Sequence, residues 1–183
     1  GASLYVKAGG DEHTYWLSFE LLWRDYMRRY AKVHKSRIFR RDGVIVPGPG
    51  EPALSPRHAW GRDLRLFEAW ARARTGYPLV DACMRELWAT GFMSNRGRQL
   101  VASFLVRDLG LDWRLGAALF EALLLDADPC QNYGNWQYSA GVGSDPREDR
   151  YFNVVKQAYM YDPQAAFMSY WLPDLQGLSV EAL

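Results

Sequence analysis

The stretch LDADPCQNYGNWQYSAGVG holds the densest set of side chains capable of chemistry in the chain. Two carboxylates lie two residues apart at Asp126 and Asp128, and an amide follows at Asn132. An indole at Trp136 and a phenol at Tyr138 come next. Two ionised carboxylates so close together need cationic or hydrogen-bonding partners if they are buried. The stretch is therefore predicted to form a binding or catalytic site.

Arg98 is a candidate partner for one of these carboxylates, because a guanidinium can bind a carboxylate through two parallel hydrogen bonds. Structural roles remain open for the other residues. Asn132 belongs to a residue type that often forms turns. Rings such as those of Trp136 and Tyr138 commonly pack in a core. The residues alone leave both interpretations open.

Composition narrows the class of protein. The chain has 183 residues, 49% hydrophobic and 15% aromatic, which is enough for one globular domain. Its net charge of +1 excludes a strongly basic nucleic-acid-binding protein by bulk charge. His13, His34 and His58 lack metal-ligand spacing, and Cys83 and Cys130 are the only cysteines, which favours a reducing compartment. The sequence contains no run of about twenty apolar residues, so it predicts no membrane-spanning helix.

The elements that position the site are predicted to be helices. The first helix carries aromatic residues at three- and four-residue steps, which is typical of an amphipathic helix. Helices are predicted over residues 13–33, 62–74, 78–91, 94–109, 113–124, 152–160 and 163–171. The pattern predicts a single all-α domain of about seven helices across residues 1–183.

Two segments are predicted to be irregular. Residues 40–57 are rich in Gly and Pro and are expected to form an internal loop. Residues 125–150 are expected to form a second, longer loop, and such a loop inside a compact domain is usually functional. A basic run from Arg28 to Arg41 leads into the first loop. This run is equally consistent with phosphate binding and with a solvated basic face.

Four motifs resemble those of the photolyase and cryptochrome family, in the family's order. They are FELLWRD (19–25), TGYPLVDACMRELWATGFMSNRGR (75–98), LDWR (111–114) and the spaced set Asp126, Asp128, Asn132 and Trp136. The variant CQNYGNWQYSAGVG most resembles the DASH cryptochromes. The resemblance implies the family's all-α FAD-binding domain, in partial form. The α/β antenna domain, its pterin site and the Ser/Thr loop for the flavin phosphates are expected to be absent.

The resemblance implies that FAD is the cofactor. It places FAD contacts at Arg24, Asn95, Arg98, Asp126, Asp128 and Asn132. Arg24 would meet the diphosphate, and Arg98 with a carboxylate would lie beside the flavin ring. Asn132 would face the ring N5, where a neutral amide can accept or donate a hydrogen bond. Binding by a partial site is expected to be weakened, because the diphosphate contacts supply affinity as well as orientation.

The resemblance also implies a chain of tryptophans that carries electrons to the flavin. Trp136 would be nearest the flavin, Trp113 next, and Trp60 at the surface. An excited flavin can oxidise an indole, and short hops are faster than one long transfer. Core packing is the alternative role for the same rings.

A substrate pocket is implied at Glu20, Trp23 and Tyr138. Enzymes that act on bases within DNA flip them out of the stack, and the flipped bases need stacking rings and a polar contact. The two rings would stack against the flipped bases. Glu20 would supply the hydrogen-bond partner.

The implied function is blue-light-driven electron transfer from reduced FAD to cyclobutane pyrimidine dimers, preferably in single-stranded DNA. Photolyase-like activity is expected if a missing N-terminal half is supplied. One alternative is a blue-light photoreceptor without repair. Another is a flavin-poor structural subunit of a larger assembly. The resemblance implies a chloroplast, a mitochondrion or the bacterial cytoplasm as the location.

Overall fold

The computed structural model describes residues 12–44, 59–144 and 151–178, which contain eight α-helices and no β-strand. The helices are α1 (Glu12–His34), α2 (Leu64–Ala71), α3 (Pro78–Thr90), α4 (Asn95–Ser103), α5 (Trp113–Leu123), α6 (Pro129–Ala140), α7 (Val154–Tyr161) and α8 (Ala166–Trp171). Shorter helical turns are Lys35–Phe39 and Pro173–Leu175, which are 3₁₀, and Phe104–Asp108, which is π-helical. The all-α prediction is confirmed.

Capping residues fix where several helices begin. Asp63, Ser94, Asp112 and Asn153 each accept a hydrogen bond from a backbone N–H of the first turn that follows. Such bonds satisfy amide groups that have no partner within the helix. Gly91 ends α3 with φ 68°, as the sequence predicts. The sequence therefore locates most helix starts correctly.

Two helix boundaries differ from the prediction by three residues. α2 ends at Ala71 rather than near residue 74, since Ala73 has φ 55° and leaves the helical region. α8 begins at Ala166, three residues later than expected. Asp162 caps it from a distance, because its carboxylate accepts from the backbone N–H of Phe167 at 3.1 Å and of Met168 at 2.9 Å.

The main correction concerns residues 125–150, which the sequence predicts to be a loop. α6 occupies the middle of this segment. The Asp128 side chain accepts a hydrogen bond from the first turn, and Pro129 occupies the first helical position. Gly141 ends the helix with φ 74°, which a residue with a Cβ adopts only under strain. Residues 145–150 lie outside the described part.

The predicted loop at 40–57 falls largely outside the described residues, which resume at position 59. Its first residues form a turn closed by a hydrogen bond from Gly43 N to Arg40 O at 2.8 Å. Val44 N then donates to Val142 O at 3.2 Å. This turn is therefore attached to the segment that follows α6.

The core is rich in aromatic and sulfur-containing side chains. Its largest fully buried members include Trp70, Trp113, Phe104, Met27 and Met84. α6 lies at the centre, where it packs against α1, α4 and α5. The C-terminal half of α1 supplies buried residues, whereas its N-terminal half leaves most of the predicted aromatic stripe exposed. None of the described helices combines the length and the hydropathy needed to cross a membrane.

Candidate functional site

An open cleft with a volume of about 620 Å³ lies where α1, α4, α5 and α6 meet. It brings together residues that are far apart in the sequence. Eight of the predicted site residues line it: Glu20, Asn95, Arg98, Asp126, Asp128, Asn132, Trp136 and Tyr138. The four other predicted site residues, Arg24, Trp23, Trp113 and Trp60, do not line it.

Arg98 is fixed at the cleft by two acceptors. Its Nε donates to Met93 O at 2.8 Å, and its Nη2 lies 3.0 Å from both carboxylate oxygens of Asp126. The predicted contact between Arg98 and a carboxylate is therefore present. The side chains are 28% and 62% exposed, so solvent screens this pair. Its main effect is to orient the guanidinium.

Asp128 uses its two oxygens differently. One accepts from the backbone N–H of Gln131 at 3.0 Å, and the other lies 3.6 Å from Arg28 Nη2. The Asp128 side chain is 33% exposed and that of Asp126 is 62% exposed, so the two carboxylates are not buried together. The desolvation that the sequence interpretation assumes is therefore small.

Asn132 is positioned by a single hydrogen bond. Its Nδ2 donates to Ala117 O of α5 at 2.7 Å, and the residue is 9% exposed. Among the described residues, no donor reaches its Oδ1. This oxygen remains available to accept a hydrogen bond from a molecule in the cleft.

Trp136 forms part of the cleft wall although it is only 2% exposed. A Cβ placed on Gly116 of α5 would lie 2.1 Å from its Cη2, so only glycine leaves room for the ring. The ring also contacts Phe120 edge-on at 5.2 Å and Trp70 at 6.2 Å. Helix α5 therefore fixes both Asn132 and Trp136.

Trp113 and Trp60 lie in the interior. Trp113 is fully buried, and Trp60 is 5% exposed, so the prediction that Trp60 lies at the surface is wrong. A parallel bridge between Gly61 and Leu111 brings their backbones together. Arg41 links the two tryptophans a second time. Trp113 Nε1 donates to the Arg41 carbonyl at 3.0 Å, and Arg41 Nη2 donates to Trp60 O at 2.8 Å.

Two of the three predicted substrate residues line the cleft, and the third contacts one of them. Glu20 lines the cleft from α1, and Tyr138 lines it from α6. Trp23 contacts Tyr138 edge-on, with ring centroids 6.3 Å apart. The cleft therefore presents an exposed carboxylate and one ring of a partly exposed aromatic pair.

Arg24 lies outside the cleft. Its guanidinium is 46% exposed and lies 3.4 Å from Asp25 Oδ1. Its carbonyl accepts from Gln131 Nε2 at 2.8 Å, which ties α1 to the start of α6. Its predicted contact with a diphosphate stays a prediction.

Several contacts that shape this site are not predicted by the sequence. Arg28 contacts Asp128, and Arg41 contacts Trp60, so two members of the basic run have specific partners. Trp70 supports Trp136 from α2. Only Trp70 left a signal, as an apolar residue on the inner face of a predicted helix. No group of three or more His, Cys, Asp or Glu in the described segments is arranged to hold a metal ion.

The sequence matches, over residues 16–183, the family described as the FAD binding domain of DNA photolyase. The chain belongs to this family. The photolyase fold therefore accounts for the eight helices and for the cleft among them. The recognised motifs and the α6 segment all fall within the matched range.

Named relatives of this photolyase-family chain are DASH cryptochromes. Cryptochrome DASH, chloroplastic/mitochondrial, of Solanum lycopersicum is 54% identical over 171 residues, which cover 93% of this chain and 28% of that protein. A cryptochrome crystal structure from Synechocystis sp. PCC6803 has a TM-score of 0.84 at 50% identity. The match covers 94% of this chain and 34% of the Synechocystis chain.

An archaeal photolyase from Sulfolobus tokodaii, solved with two FAD molecules, has a TM-score of 0.79 at 36% identity. The match covers 97% of this chain and 38% of the archaeal chain. The chain thus spans 28–38% of the length of these relatives.

Proposed function

We propose that the cleft binds FAD, and that the bound flavin exchanges electrons with this chain's tryptophans in blue light. The observation that carries the proposal is the state of Asn132. Its amide nitrogen is committed to Ala117, while its oxygen has no donor among the described residues. Asn132 lines the cleft, so this oxygen can accept a hydrogen bond from a bound molecule.

The surrounding residues fit a flavin. Asn132 Oδ1 would accept from a protonated ring nitrogen and fix the orientation of the ring. Arg98, fixed by Met93 and Asp126, would place positive charge beside a reduced, anionic ring. Asn95 and Asp128 would add polar contacts. Arg24 reaches a diphosphate only if the cofactor extends beyond the cleft toward α1.

The cofactor supplies absorption of blue light and one-electron chemistry when it is bound. The protein's contribution is to position the electron donors. Trp136 is the indole at the cleft wall and would be the first electron donor. Trp113 and Trp60, linked through Arg41, would be the next two.

We infer that the substrate is DNA containing cyclobutane pyrimidine dimers, preferably single-stranded. The support is the grouping of Glu20, Trp23 and Tyr138 at the cleft edge. The rings would stack on bases flipped out of the strand, and Glu20 would hydrogen-bond to their polar edges. A photoreceptor without repair would not require this grouping. The names of relatives support an organelle or a bacterial cell as the location.

Titration of the purified chain with FAD tests cofactor binding. We expect flavin fluorescence to be quenched on binding, since indole rings lie at the cleft. Asn132→Asp should bind FAD but shift the reduction potential of the flavin to a more negative value, because the new carboxylate would repel the reduced, anionic ring. Asn153→Asp, at the N-cap of α7, is the matched control. Absence of binding by the wild-type chain would leave the structural-subunit alternative.

Illumination of a single-stranded oligonucleotide with one thymine dimer tests repair. The wild-type chain with reduced FAD should restore the absorbance of the intact thymines under blue light only. Glu20→Ala should lower repair while keeping the flavin spectrum. A chain that binds and photoreduces FAD but restores no thymine would support the photoreceptor alternative.

A further inference from the structure

Tyr133 stands between an indole and a carboxylate, outside the residues that line the cleft. Its ring meets Trp113 edge-on, with centroids 6.2 Å apart. Its hydroxyl donates to Glu121 Oε2 at 2.9 Å. Phe39 covers another side of the ring at 4.7 Å. A phenol, a proton acceptor and a buried indole are therefore in contact.

This arrangement suits the oxidation of a phenol. A phenol that loses an electron becomes a strong acid, so oxidation is favourable where a base can take the proton at once. Glu121 is such a base, on the adjacent helix α5. Burial, and then the hydrogen bond and charge of Glu121, raise the pKa of Tyr133 to about 12. The phenol therefore keeps its proton at neutral pH until it is oxidised.

We propose that Tyr133 and Glu121 form a redox-active pair that reduces an oxidised Trp113. One electron passes from the Tyr133 ring to the Trp113 radical cation and restores neutral tryptophan. The phenolic proton passes to the Glu121 carboxylate. The products are a neutral tyrosyl radical and a carboxylic acid, so charge and atoms balance.

The inference rests on the proposed function, because the oxidant is Trp113 after it has donated an electron toward the cleft. The pair gives the positive charge a second destination besides Trp60. It differs from Trp60 in releasing a proton. Reduction of the Tyr133 radical back to the phenol requires return of that proton. The light-induced state should therefore last longer when the radical is on Tyr133 than when it is on a tryptophan.

Tyr151 provides a matched control. Its hydroxyl donates to Asp108 Oδ1 at 3.0 Å, which is the same phenol–carboxylate contact. Among the ring contacts of the described residues, Trp113 has Tyr133 as its partner and not Tyr151. Tyr151→Phe therefore removes an equivalent hydrogen bond without touching the proposed route.

The deciding experiment is time-resolved absorption and electron paramagnetic resonance after a blue flash on the FAD-loaded chain. In the wild type, a tyrosyl signal should replace the tryptophan radical cation and should form more slowly in D₂O. Tyr133→Phe should abolish this tyrosyl signal and prolong the tryptophan radical several-fold. Glu121→Gln should slow its formation, and Tyr151→Phe should change nothing. Equal kinetics in the wild type and Tyr133→Phe would overturn the inference.

A second arm separates this inference from the proposed function. If bound FAD yields no tryptophan radical, the proposed electron chain fails. A ruthenium(III) photo-oxidant generated in solution can then oxidise the flavin-free chain. We expect the tyrosyl resonance to fall in Tyr133→Phe and Glu121→Gln but not in Tyr151→Phe. Equal resonances in all four proteins would reject the redox role of the pair.

Discussion

The two faces of α6 use buried amides in opposite ways. On the face toward α1, Gln137 is fully buried and saturated: it accepts from Tyr30 at 2.7 Å and donates to the carbonyls of Ile38 and Arg37. On the face toward the cleft, Asn132 makes one hydrogen bond and keeps its oxygen available. A saturated buried amide serves the fold, whereas a half-satisfied one is ready for a ligand.

The largest expected effect comes from breaking the saturated face. Gln137→Leu strands the Tyr30 hydroxyl and the Ile38 carbonyl in the interior. We expect the free energy of unfolding to fall by about 2–4 kcal/mol, since each stranded group costs about 1–3 kcal/mol. Urea unfolding followed by circular dichroism measures this. Adding Tyr30→Phe should recover part of the loss, and a fall below about 1 kcal/mol would contradict the saturated network.

The packing between α5 and the cleft face comes next. Gly116→Ala places a methyl group against the Trp136 ring, which Trp70 and Phe120 hold in place. Overpacking should cost about 1–3 kcal/mol, more than the gain in helix propensity. Thermal unfolding is the measurement. Gly61→Ala is the control, because its Cβ would meet only Gly110 O at 3.7 Å.

We expect the ion pair at buried Asp112 to add more to the free energy of unfolding than an exposed ion pair does. Asp112 is 1% exposed and accepts from Arg114 Nη2 at 2.7 Å. Burial acts to raise the pKa of Asp112, but the Arg114 hydrogen bonds and the charges of Arg114 and Arg62 leave it below its ordinary value. The stability it adds is complete above the unfolded-state pKa, about 4, and is lost as pH falls through the lower folded-state pKa.

Asp112→Asn should therefore reduce stability at neutral pH by about 1–2 kcal/mol. It should also remove part of the loss that the wild type shows below about pH 4. Urea unfolding at several pH values measures both quantities. Parallel pH curves for the two proteins would show that Asp112 adds no acid-dependent stability.

The smallest effect on stability is expected in the cleft itself. Asp126→Asn weakens a partly exposed pair and should cost less than about 0.5 kcal/mol. It should nevertheless lower FAD affinity about tenfold, equivalent to about 1.4 kcal/mol, by releasing Arg98. Calorimetric titration provides the test. Glu68→Gln, in the exposed pair with Arg74, should change neither quantity.

The sequence predicts the helical class and most helix starts because these depend on local features. Asp63, Ser94 and Asp112 cap helices through neighbouring amides, and the apolar spacing of α2 to α5 is regular. The motifs also predict which residues gather at the cleft. All these signals are carried by short spans of the chain.

The prediction fails where distant contacts decide. α6 packs against other helices on both of its faces, so its sequence shows no single apolar stripe. Its only helix signals in the sequence are the Asp128-Pro129 start and the Gly141 end. The burial of Trp60 depends on the distant Arg41 and on the strand-like bridge at Gly61. No local pattern encodes such contacts.

The links at Arg41 and Val44 also bear on how the chain tolerates change in length. Arg41 binds Trp60 O, and Val44 binds Val142 O, so the residues on either side of positions 45–58 are already fixed to the fold. Doubling the length of a loop between fixed ends costs only about 0.6 kcal/mol. An insertion made between Val44 and Ala59 would therefore join two ends that the fold already holds in place, at a cost that grows slowly with its length.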